Sequence, residues 1–307
     1  MTPMTTIPAV TLDRCHTVLD TLGIAAAHQG GDLLVWDDDT VSRSVTVNAA
    51  AGFVEVTAIV WVSIDTDDDI PGLLEIVNTI NSESVVAGVE LAAESSAVVT
   101  HVSTVAPDGL SHDQLRDFIT TAIDEVNAAV ERLQRDCAGR VLPRPVEESE
   151  APATPQPGGA GTEGKISPLT ADRVRQWLEQ SGWAYSRHRD SDRFEAEVDG
   201  VVIGIDCVSA PRMISVQSPM RIEFAAAEKT AALLVANGLN GIPLTTAFAT
   251  EPEDDDGGIG VIAYSPIVSV GGGYTDGQFA LALSAACKAC FTAHQVLAQQ
   301  HIDGVEA

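Results

Sequence analysis

The chain has 307 residues, 45% hydrophobic but only 5% aromatic, and its 44 acidic residues outnumber 17 basic ones for a net charge of −27. That length suits two domains with aliphatic cores, and the negative field repels phosphates and anionic headgroups, which argues against nucleic-acid and membrane partners. No apolar run reaches the ~18 residues of a membrane span, and residues 1–10 lack the basic and apolar regions of a secretory signal, so a cytoplasmic protein is expected.

Residues 1–10 carry no pattern and are expected to be disordered. Over 11–22, Leu12, Cys15, Val18, Leu19 and Leu22 form one helical stripe, with Thr11 as N-cap and Gly23 as the stop. Segments 24–28 and 32–36 read as hairpin arms across Gly30-Gly31. Val45 and Val47 alternate with polar residues, and 53–64 is rich in β-branched residues, as a central strand is. Asp69 and Pro71 open a helix to about 80. Strands follow at 85–92 and 97–104. Ser111 and Gln114 then form a capping box that opens a helix to about 135.

Residues 138–168 contain Pro143, Pro145, Pro152, Pro155, Pro157 and Pro168 without apolar periodicity, and read as a semi-flexible linker. The order then repeats: helix 170–181, strands near 183–188, 193–199, 201–207 and 212–218, helix 226–238, strands 243–250 and 259–267, and helix 275–300. Its last helix opens on a second capping box, Thr275 and Gln278. Thr11, Asp13, Arg14, Leu19 and Gly23 recur 159 residues on as Thr170, Asp172, Arg173, Leu178 and Gly182. Leu74, Asn78 and Asn81 recur at the same offset as Leu233, Asn237 and Asn240. The expected class is α+β: two tandem copies of a helix, antiparallel sheet, helix, two strands, helix domain, at 11–137 and 169–307. Their charges are −17 and −9, with −1 on the linker.

No motif supplies chemistry. Asp65 to Asp69 begins like a calcium loop, but Ile70 and Ile76 stand where Gly and Glu are required, so the acids read as complements to a helix dipole. Asp37 to Asp39 and Asp254 to Gly258 read as turns. Gly271-Gly272-Gly273 lacks the lysine and spacing of a phosphate loop. Arg187, His188, Arg189 and Arg193 are interleaved with acids and read as a solvated edge strand. The five cysteines suggest reduced thiols. Cys287, Cys290 and His294 share a helix face, but the first copy carries Ile123, Val126 and Val130 there, which makes the cysteines core residues. The catalytic, cofactor and metal assignments are therefore none. The pairs Asn78/Asn81 and Asn237/Asn240 end the middle helices. The last of each fits a left-handed cap, and a partner-binding polar patch is the second reading.

Two signatures carry a family resemblance: Val77-Asn78-Thr79-Ile80-Asn81 with Leu110 to Leu115, echoed by Ala236 to Asn240 and Tyr274 to Phe279. They resemble the YbjN family, described as bacterial sensory transduction regulators. The second copy departs from the pattern at Gly238 and at Tyr274-Thr275. The resemblance implies a fold similar to type III secretion chaperones, which are small, acidic, dimerising proteins, and it implies no catalytic residues. The expectation is a non-catalytic, chaperone-like protein-binding regulator whose two copies form a pseudo-dimer and whose partner offers a basic or amphipathic segment. The alternatives are a type VII secretion chaperone-like protein and a small-molecule enzyme.

Overall fold

The structure is a computed structural model, and it describes residues 5–29, 33–48, 52–84, 86–145, 162–188, 191–198, 201–209, 212–250 and 258–305. Two six-stranded sheets organise it. The first holds β2 (Ala27–His28), β3 (Leu33–Asp37), β4 (Val41–Asn48), β5 (Phe53–Trp61), β6 (Gly88–Ala92) and β7 (Ala97–Val105), in the order β2-β3-β4-β5-β7-β6. The second holds β9 (Ala184–Arg187), β10 (Arg193–Val198), β11 (Val201–Ser209), β12 (Arg212–Phe224), β13 (Thr246–Ala249) and β14 (Ile259–Val268), in the order β9-β10-β11-β12-β14-β13. In each, four strands lie in chain order and the next two are exchanged. The recorded pairings are antiparallel, as short connections require.

The central strand β5 shows how sequence sets packing. Val54, Val56, Ala58 and Val60 are buried, while Phe53, Glu55, Thr57, Ile59 and Trp61 alternate with them half-buried. α3 (His112–Asp136) packs on β5 and β7, and α1 (Leu12–Thr21) packs on α3, β3 and β4 through Cys15, Val18 and Leu19. Thr11 caps α1 by accepting from the Arg14 amide at 3.3 Å.

The chain divides into two compact units, each drawing on both halves of the sequence. One comprises residues 1–70, 91–168 and 270–282; it carries α1, α3, most of the first sheet and the start of α6 (Asp276–Val305). The other comprises 71–90, 169–269 and 283–307. It carries the second sheet, nearly all of α2 (Asp69–Glu83), α4 (Ala171–Ser181), α5 (Lys229–Asn240) and the rest of α6.

The expectation of a disordered 1–10 is corrected from residue 5 onward; residues 1–4 lie outside the described residues. β1 (Thr5–Ile7) pairs antiparallel with β8 (Thr162–Gly164), Thr5 opposite Gly164, and Ile7 and Val10 are buried. Arg14 holds this arm by donating to the Pro8, Ala9 and Leu110 carbonyls at 2.6–2.8 Å. Charged side chains in sequence gave no hint of a backbone-to-arginine tether. β8 also places the end of the expected linker in a strand, and Val141 bridges to Val62 at its start. The linker's middle, 146–161, lies outside the described residues, as do the Gly30-Gly31 turn, Arg189 and the acids of 254–256.

Candidate functional site

The two capping boxes meet inside the first unit. Each closes its own helix: Ser111 N–H donates to Gln114 Oε1 at 2.8 Å, and Thr275 N–H to Gln278 Oε1 at 2.9 Å. Each glutamine then reaches the other. Gln114 Nε2 donates to the Gly273 carbonyl (2.7 Å) and to Gln278 Oε1 (3.1 Å). Gln278 Nε2 donates to the Gly109 carbonyl (2.7 Å) and to Gln114 Oε1 (3.3 Å). Both are buried, Gln114 wholly and Gln278 at 3% exposure. Two donors and two acceptor positions per amide are thus all engaged, which is the condition for burying such a group without penalty.

The glycines at this junction are sterically required. A Cβ on Gly109 (φ +83°) would sit 2.2 Å from the Pro8 carbonyl oxygen, and one on Gly273 (φ +127°) 1.9 Å from that of Ser167. Leu110 and Tyr274 N–H donate to those same two carbonyls at 3.2 and 3.0 Å. Gly271 N–H donates to the Asp117 carboxylate at 3.0 Å. The glycine run therefore already receives an anion, from α3 rather than from a phosphate.

The asparagines form a second amide cluster, in the second unit. Asn81 is fully buried, and its amide bonds both main-chain groups of Val89 at 2.8 Å. Asn240, 1% exposed, does the same to Ala247: Nδ2 donates to its carbonyl (3.0 Å), and its N–H donates to Oδ1 (2.7 Å). Asn78 treats Ala249 likewise, at 2.9 and 2.6 Å. Asn237 lines the adjoining cleft with Leu74 and Leu233, which has no room for a water molecule. The left-handed cap expected of Asn81 and Asn240 is corrected. Asn81 lies inside α2, Asn240 is the last residue of α5, and the non-glycine residues with positive φ among those described are Ser96 and Leu244. The side chain, not the main chain, does the work. A primary amide matches one residue's N–H and C=O as a neighbouring strand would, and no local pattern announces that.

Asp69 Oδ2 accepts from the Asp65 and Thr66 amides at 3.1 and 3.0 Å, and its Oδ1 lies 2.8 Å from Arg140. The Thr66 amide, then the Arg140 guanidinium, hold its carboxyl below the usual range. Cys287 and Cys290 are 2% exposed; the Cys290 thiol donates to the Val216 carbonyl, and burial pushes Cys287 to about 12. Among the described residues no three His, Cys, Asp or Glu side chains could hold a metal ion. Arg187 pairs with Asp192 and Arg193 with Asp206. A shallow cleft near Val10, Val54 and Ala106, with room for little more than a water molecule, is lined by no ionisable side chain. α6 includes a stretch, Asp276–Gln299, long and apolar enough by length and composition to cross a membrane. Leu283, Ala286, Cys287, Cys290, Ala293 and Leu297 of that stretch are buried in the protein.

Among the described residues the chain is an α+β protein with two six-stranded antiparallel sheets, the short β1–β8 ladder and six α-helices. Residues 11–135 match the family model of YbjN, "Putative bacterial sensory transduction regulator". Among solved structures the chain is similar to "Crystal structure of YbjN, a putative transcription regulator from E. coli", with 17% identity and a TM-score of 0.36, over 45% of this chain and 97% of that one. No functionally curated protein matches it.

Proposed function

We propose that the chain is a non-catalytic, chaperone-like regulator made of two fused YbjN-like domains, acting in the cytoplasm on a protein partner. The recurrent strand order and the reciprocal glutamines support duplication, since each half completes a bond pattern begun by the other. The halves in this reading form a pseudo-dimer within one chain.

The observation that carries the binding role is the outer face of the first sheet. Phe53, Ile59, Trp61, Val99 and Val105 are half-buried there, with Ile59 opposite Val99 and Phe53 opposite Val105. Glu55 sits among them, its carboxylate accepting from Ser103 Oγ at 2.6 Å. An apolar flank with one fixed acid in a half of charge −17 suits an amphipathic segment carrying a basic residue. The test is capture from native cytosol, read by mass spectrometry, with wild type beside Ile59→Asp and Val99→Asp. Partners that leave with both variants support the reading; partners retained at full level by both overturn it.

A further inference from the structure

Three of the four edges of the large sheets are closed by side chains. At β13, Asn240 and Asn78 take the outward main-chain groups of Ala247 and Ala249, and at β6 Asn81 takes those of Val89. Beside β2, His16 Nε2 donates to the Ala26 carbonyl at 3.1 Å. The fourth edge is β9. Its register sets Ser186 opposite Glu195 and Arg187 opposite Phe194, and the His188 amide donates to the Arg193 carbonyl at 3.0 Å. Bonded pairs alternate along an antiparallel ladder. Ser186 therefore bonds to β10, while Tyr185 and Arg187 aim both N–H and C=O away from the sheet. Among the described residues no group receives them. Arg175 is the counterpart of His16 at the 159-residue offset, but it pairs with Glu179 at 2.8 Å and leaves the Tyr185 carbonyl, the counterpart of that of Ala26, open.

The side chains around this edge differ from those of the first half. Trp183 meets Trp177 edge-on at 5.0 Å, Tyr185 lies 6.0 Å from Phe194, and the Arg187 guanidinium lies 5.6 Å from the centre of the Phe194 ring. Where Trp177, Trp183 and Tyr185 stand, the first half has Val18, Ile24 and Ala26, so the fold does not require the rings. Binding energy concentrates on Trp, Tyr and Arg. Residues 171–187 hold three arginines and two acids, a local +1 in a chain of −27.

We propose that β9 is a docking edge for an extended segment of another protein, which adds to the second sheet as a further antiparallel strand. The open groups select the conformation of the occupant: two N–H and two C=O groups spaced along one strand match another extended main chain. The side chains select its sequence. A guest residue opposite Arg187 is a carboxylate, because the Arg187–Asp192 pair is exposed and holds the guanidinium weakly. The guest residue opposite Tyr185 is aromatic or β-branched, as favoured across a strand pair. An antiparallel guest therefore reads acid, any residue, apolar. A second copy of this chain is a poorer occupant: β9 carries no acid to meet Arg187, and −27 would face −27. The edge lies apart from the outer face of the first sheet, and its test is independent of that site.

The probe is a labelled peptide with Asp-Thr-Phe at its centre, titrated with the full chain and read by fluorescence polarisation. Binding is expected with a Kd below about 1 mM. Methylating the peptide nitrogens of Asp and Phe removes the donors aimed at the Arg187 and Tyr185 carbonyls, and should weaken binding at least ~10-fold. Tyr185→Pro deletes an outward donor that β10 does not use and should weaken it similarly, with circular dichroism confirming the fold. Arg187→Glu should move the preference to a Lys-Thr-Phe peptide. Bound peptide should slow amide exchange at Tyr185 and Arg187 and leave Ala249, already bonded by Asn78, unchanged. No binding of the Asp-Thr-Phe peptide by about 1 mM, binding indifferent to the methylated nitrogens, or an edge that pairs only with a second copy, seen as a doubled mass in sedimentation that Tyr185→Pro abolishes, would each overturn the proposal.

Discussion

Gln114 and Gln278 place two side-chain amides in a fully buried site and leave none of their bonding positions empty. Gln114→Leu would orphan the Ser111 N–H and the Gly273 carbonyl at once. An unsatisfied buried group costs about 1–3 kcal/mol, so urea unfolding is expected to show a loss of at least ~2 kcal/mol. The double variant with Gln278→Leu should lose less than the sum of the two singles, because the pair shares bonds. The thiols give a second expectation. Burial first, then Asp192 and Asp206, raises Cys207 to about 12, and burial alone does the same to Cys287. Both stay protonated at pH 8, so a thiolate-selective reagent should label them only on unfolding. Cys287→Ala with Cys290→Val should leave partner capture intact. Glu90 supplies a pH signature. Its carboxyl is raised by desolvation beside Gly241. A raised acid favours folding below its unfolded value and loses that contribution as pH rises through the folded one. Glu90→Gln should thus stabilise the protein at pH 7 and do little below pH 4, read from thermal melts across that range.

At the scale of elements, the amides act on strand edges. β13 ends its sheet, and the outward main-chain groups of Ala247 and Ala249 are taken by Asn240 and Asn78. An open edge invites another strand; this one is closed by side chains. Asn78→Ala should speed amide exchange at Ala249 by about 10–100-fold, the ratio for losing ~1.4–3 kcal/mol of local protection. Exchange at Ala249 that stays unchanged would show that the bond does not hold the strand. The local grammar of these elements was legible: Thr11, Ser111 with Gln114, and Thr275 with Gln278 cap the helices expected of them. Other boundaries moved for packing reasons. The 226–228 stretch is a 3-10 turn ahead of α5, and β12 runs on to Phe224 across a register shift between Ser218 and Ile222.

For the whole molecule, duplication and acidity make separate claims. If the two halves are fused copies, each expressed alone lacks the other's glutamine and asparagine contacts. Halves mixed without the linker are then expected to associate, a tendency the fusion strengthens through an effective concentration in about the millimolar range. Light scattering that finds two inert species would count against the pseudo-dimer. The −17 of the first half predicts that a basic segment associates more slowly as salt rises, since screening acts beyond about 8–10 Å, while dissociation changes little. Stopped-flow rates flat from low to high salt would assign the charge to solubility alone.

The sequence by itself determined what is local or repeated. Helix caps, strand alternation, the glycine stops and the 159-residue offset all act within a few residues or compare like with like. Only the tertiary structure decided what those residues touch. It made Gln114 a partner of Gln278 across 164 positions, turned Asn78, Asn81 and Asn240 from helix ends into clamps on main chain, and drew residues 5–10 into order through Arg14 and β8. The reason is physical: a polar side chain's local propensity is the same whether it faces water or a distant carbonyl, and burial alone distinguishes the two.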